Sequence, residues 1–153
     1  AGAISHFLRL GSTRAPGSLE WLLELADSII TYRSRYMATP ELLPALDLIV
    51  LDDANPHSVV FQLHELVRYL ALLAHELDAS RDDALHASLA RLRAFDLASF
   101  ESIDSGDHGH CAICEQLAGL LAGIAADAAS LSDRLSMRHF THVRDVGRPT
   151  LAA

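Results

Sequence analysis

From Val59 to Leu77 the apolar residues recur every three or four positions along two adjacent seams. One seam is Val60, Leu63, Val67, Leu70, Ala74 and Leu77; beside it run Val59, Leu66 and Leu73. That spacing is the period of an α-helix, and two neighbouring seams make an apolar face too broad for one partner to cover. A helix with such a face belongs at the centre of a bundle, touching at least two others. Leu63, Leu66, Val67 and Leu70 are therefore expected to be buried.

Other segments carry the same period. Leu22, Leu25, Ile29, Tyr32 and Tyr36 follow Ser18, a natural N-cap, and predict a helix from 18 to about 37. Thr39-Pro40 opens a second helix through Leu42, Leu43, Leu46, Ile49, Val50 and Leu51, kept short or bent by Pro44. Asp52-Asp53-Ala54-Asn55-Pro56 reads as a turn. Ser80 and Asp83 resemble a capping box for a helix over about 80–100, with Leu85, Leu89, Leu92, Phe95 and Phe100 inward. Ile103 to Gly109 reads as a polar loop. The last helix is expected from about Cys111 to Phe140, with Ile113, Leu117, Leu120, Ile124 and Leu131 inward. Its small residues Gly119, Ala122, Gly123, Ala125, Ala126, Ala128 and Ala129 would let a neighbouring helix approach closely.

Half the residues are hydrophobic but only 6% are aromatic, a balance that favours helices over a β-sandwich. The expected fold is all-α, an up-and-down bundle of about five helices over residues 18–142. Residues 1–17 read as a linker or the remnant of a preceding helix: Ile4, Phe7, Leu8 and Leu10 precede a break at Gly11, Pro16 and Gly17. Residues 143–153 read as a flexible tail.

Twelve Lys and Arg against twenty Asp and Glu give a formal charge of −8, the wrong sign for holding phosphates, so no nucleic-acid partner is expected. The longest uncharged apolar stretch, Leu117 to Ala126, falls well short of the roughly 20 residues a bilayer needs, so no transmembrane helix and no membrane partner are expected. The N-terminus has no basic start, apolar stretch and cleavage site of a signal peptide. Two cysteines three apart suit a cytoplasmic, reducing location better than a disulfide framework.

The densest cluster of chemically versatile side chains is His108, His110, Cys111 and Cys114, whose types could surround zinc tetrahedrally. Structural zinc sites usually draw two ligand pairs from separated segments, whereas these four lie within seven consecutive residues across a helix start. The plainer reading makes the cysteines small apolar residues of a first turn, and a redox pair is the third. The chain has nine histidines, but no Glu is followed three residues later by His, as a di-metal bundle requires. His64-Glu65 and His75-Glu76 do not extend to the His-Glu-x-x-His of a zinc protease and read as structural. Tyr32, Arg33, Arg35 and Tyr36 either form a small basic patch for a phosphate or partner, or are packed tyrosines with arginines solvated or paired with Asp27 and Glu24. With neither a Gly-rich phosphate loop nor a Gly-x-Ser-x-Gly elbow, no catalytic residue and no cofactor is nominated, and a non-catalytic role is favoured over an enzyme.

Four short motifs occur in order: Trp21-Leu22-Leu23, Thr31-Tyr32-Arg33-Ser34-Arg35-Tyr36, Leu48-Ile49-Val50-Leu51-Asp52, and Asn55-Pro56-His57-Ser58-Val59. Together, over residues 19 to 77, they resemble the second half of the bacterial alpha-E domain. The resemblance implies an all-helical module, often encoded beside or fused to a circularly permuted ATP-grasp ligase and a transglutaminase-like protease. It also implies that this chain corresponds to a C-terminal portion or a shortened relative of a domain about twice its length. The Glu-Arg motif that names the family follows a Phe-Leu-Arg-Leu-Gly-type run, here Phe7-Leu8-Arg9-Leu10-Gly11. Arg14 stands for its arginine, and its glutamate is absent.

The expected function is thus an interaction or scaffold domain accessory to an ATP-grasp peptide-ligase system. Its partner would be the ligase or the N-terminal half of the domain, with a homo-oligomer as the other form of association. The alternative is a metal-binding or enzymatic module built on His108, His110, Cys111 and Cys114.

Overall fold

A computed structural model of the chain describes residues 1–10, 15–77, 83–97 and 107–140. Among the described residues there are seven α-helices and no strand, so the fold is all-α. In chain order they are α1 (Gly2–Arg9), α2 (Ser18–Leu25), α3 (Ile29–Tyr36), α4 (Leu42–Leu46), α5 (Val59–Leu77), α6 (Asp83–Arg93) and α7 (Asp107–Phe140). A π-helical turn, Asp47–Leu51, continues α4.

α5 takes the position its pattern demands. Ser58 caps it, its Oγ accepting the Phe61 N–H at 3.1 Å. Val59, Val60, Leu63 and Val67 are buried, and Leu66 and Leu70 are partly buried against the same core. The π-turn and α6 both pack on this helix. They cover one seam and the start of the other: Leu73 is 43% exposed, against the expectation that both seams would be buried along their length. Ala74 and Leu77 lie outside the residues whose side chains are described.

The single helix expected over 18–37 is two. Asp27 takes a left-handed φ of 49°, its N–H bonds back to the Glu24 carbonyl, and the Ser28 N–H reaches the Leu23 carbonyl at 2.8 Å. This pair of backward bonds is a Schellman termination, with Asp where glycine usually stands, because a short polar side chain tolerates the left-handed region. The bend turns Leu25 outward to 53% exposure and takes it off the expected seam, while Leu22, Leu23 and Tyr32 remain buried. Ser18, expected as N-cap, is instead the first residue of α2, and Gly17 holds the cap position with φ 74°. The second helix begins at Leu42 rather than at Pro40, with Glu41 as its cap.

Residues 2–9 are helical and belong to the common core. Ile4, Phe7 and Leu8 are buried, α1 packs along α7, and Arg9 Nε lies 3.4 Å from Glu115 Oε1. The two helices meet at the fully buried Ala118, whose carbonyl accepts the Ser5 hydroxyl at 2.8 Å. Gly119 and Gly123, expected to receive a neighbour, face open space.

α7 begins at Asp107, four residues before the expected start, and is about 51 Å long at 1.5 Å per residue. Gly109 lies inside it; one glycine costs a helix about 1 kcal/mol, too little to end one of this length. Ala112–Met137 is long and apolar enough, by length and composition alone, to cross a membrane, which the ten-residue run did not anticipate. A core helix passes the same test, and Leu117, Ala118, Leu121, Ile124 and Leu131 of α7 are buried within the domain. Where α6 crosses α7, the buried Ser88 hydroxyl donates to Asp127 at 2.8 Å and accepts from Arg91 at 2.9 Å.

Candidate functional site

Polar side chains gather where α3, the π-turn and the entry to α5 meet. The π-turn closes with the Asp52 N–H on the Asp47 carbonyl at 2.9 Å, and Leu48, Ile49 and Val50 are buried inside it. The chain ends its helical course there, so the Leu48 carbonyl needs a donor from elsewhere. Asn55 supplies it: Nδ2 donates to Leu48 O at 2.8 Å and to Ser28 Oγ at 3.2 Å, while Oδ1 accepts the His57 N–H at 3.2 Å. Asn55 and Ser28 are 2% and 0% exposed, so these groups depend on partners inside the fold. Ser28 in turn donates to the Ala26 carbonyl at 3.0 Å, tying the break between α2 and α3 into the same network.

On the solvent side of this network Arg35 hydrogen-bonds and ion-pairs with Asp52. The hydrogen bond and the carboxylate charge hold the Arg35 guanidinium above its ordinary value. Asp52 also accepts the Ala54 N–H at 2.9 Å, which shapes the turn. Tyr32 is buried, and its hydroxyl accepts the Glu41 N–H at 3.0 Å, at the cap of α4. The Tyr32 and Tyr36 rings lie 4.7 Å apart. Of the two readings of this segment the structure favours packed tyrosines: Arg33 is exposed, and Arg35 pairs with Asp52 rather than with Asp27 or Glu24. Asp27 instead lies 3.7 Å from His57 Nε2. These contacts either shape a turn locally, as at Ala54 and His57, or tie one chain segment to another, so the junction positions helices.

Cys114 is buried in the core on α7. The side chains of His108, His110 and Cys111 lie outside the described residues, but their backbone is helical rather than loop. Among the described residues no three His, Cys, Asp or Glu side chains are grouped to hold a metal ion. His64 is on the surface with Nδ1 3.8 Å from Glu65 Oε1, and His75 lies outside the described side chains.

A second feature is apolar. On the outer face of α5, Tyr69, Leu72 and Leu73 are 53%, 57% and 43% exposed. The Arg68 guanidinium lies 4.4 Å from the centre of the Tyr69 ring, and Glu65 holds Arg68 in place through contacts of 2.6 and 3.1 Å. Trp21 and Leu25, one turn apart on α2, are also exposed, with Trp21 stacked on Phe7 at 6.3 Å.

The sequence model of Alpha-E, a predicted alpha-helical domain with a conserved ER motif, matches residues 2–140. The chain belongs to the Alpha-E family. No curated protein and no solved structure matches it. The family match extends beyond residues 19–77, where the resemblance was first visible, to take in α1, α6 and α7. In this Alpha-E domain three of the four motifs converge: Tyr32 and Arg35 from one, Leu48 and Asp52 from another, and Asn55, His57 and Ser58 from the last build the junction. Arg14, the counterpart of the ER motif's arginine, lies outside the described residues. Asn55 and Ser28 were not singled out in the sequence as site residues. The available signal was the Asp-Asp-Ala-Asn-Pro run from 52 to 56 at the end of a helix, which marks a turn whose side chains bond their own backbone.

Proposed function

We propose that this Alpha-E domain is a non-catalytic helical docking module, and that the outer face of α5 receives an ATP-grasp ligase working in peptide ligation. The observation that carries the reading is the exposed Tyr69, Leu72 and Leu73 group on a helix whose opposite face is core. A tyrosine steadied by a stacked arginine loses little freedom on binding, and tyrosine and arginine are the side chains that most often anchor protein interfaces. The identity of the partner rests on the family resemblance, and the absence of a role in chemistry on the junction, whose polar groups are engaged within the fold.

Isothermal titration of the chain with a purified ATP-grasp ligase of the kind the resemblance implies tests the reading. Saturable binding is expected, weakened about tenfold or more by Tyr69→Asp or Leu73→Asp, a loss of at least about 1.4 kcal/mol. Both variants should keep the wild-type thermal midpoint within a few degrees. No binding by the wild-type chain, or equal binding by the variants, overturns the proposal.

A further inference from the structure

We draw no further inference here: the strongest candidate, the outer seam of α7 along Ala112, Gly119, Gly123, Ala126 and Ser130, is a stripe of small residues, and nothing in the structure shows what covers it.

Discussion

Asn55 Nδ2 lies 2.8 Å from the Leu48 carbonyl, and this contact closes the end of the π-turn against the entry to α5. Asn55→Ala leaves that buried carbonyl without its side-chain donor and the part-buried His57 N–H without its acceptor. The expected cost is about 2–3 kcal/mol, since an orphaned buried polar group costs roughly 1–3 kcal/mol. For a chain of this size that lowers the thermal midpoint by roughly 5–10 °C, read by circular dichroism. An unchanged midpoint would mean that the contact does not organise the junction.

The two seams of α5 predict opposite responses to the same truncation. Leu63 is 4% exposed and Leu73 43%. Leu63→Ala should cost about 2–4 kcal/mol through lost burial and the cavity left behind, and Leu73→Ala under about 1 kcal/mol. Urea unfolding of both variants provides the comparison, and similar losses would show that the outer seam is covered in solution.

Backbone conformation gives a third prediction. Gly119 and Gly123 lie in mid-helix with open space where a Cβ would stand, so Gly119→Ala and Gly123→Ala should each stabilise by about 0.5–1 kcal/mol. Met37 shows the converse: it is 89% exposed and ends α3 with a left-handed φ of 47°. Met37→Gly should stabilise by roughly 0.5–1 kcal/mol by removing the Cβ penalty. Destabilisation by either glycine replacement would mean that the outer face of α7 is occupied.

The Glu65 carboxyl is held below its usual 4.5 by its hydrogen bond to Arg68, with smaller help from charge. A carboxyl depressed in the folded state contributes stability that is fully present above its unfolded value and is lost as pH falls through the folded one. An NMR titration of Glu65 should therefore have its midpoint below 4.5, rising toward that value in Arg68→Ala. Equal midpoints in the two proteins would show that the pair does not form and that Tyr69 is not steadied through it.

The sequence read helices well where one apolar seam meets one core. Leu63 and Val67, Leu85, Leu89 and Leu92, and Leu117, Ile124 and Leu131 all point where their periods place them. The bend at Asp27 was not legible, because the three-four spacing runs through Leu22, Leu25 and Ile29 without Gly or Pro, and the left-handed turn is taken by an aspartate. Leu73 misled for a different reason: periodicity says that a face is apolar, whereas coverage depends on which other helices reach it. The same holds for Ile4, Phe7 and Leu8, which read as the residue of something earlier in the chain and pack on α7 instead. At the site, the motifs around Tyr32, Asp52 and Asn55 were visible as separate strings. Their convergence required the π-turn, which no spacing rule announces.

Hydrogen–deuterium exchange of the chain with and without a purified ATP-grasp ligase tests the central proposal, that this is a docking module whose contact face is the outer side of α5. The account predicts added protection across residues 61–73, with the junction around Ser28, Leu48 and Asn55 unchanged because it is already closed. Protection confined to other helices, or none at a partner concentration that saturates binding, would contradict it.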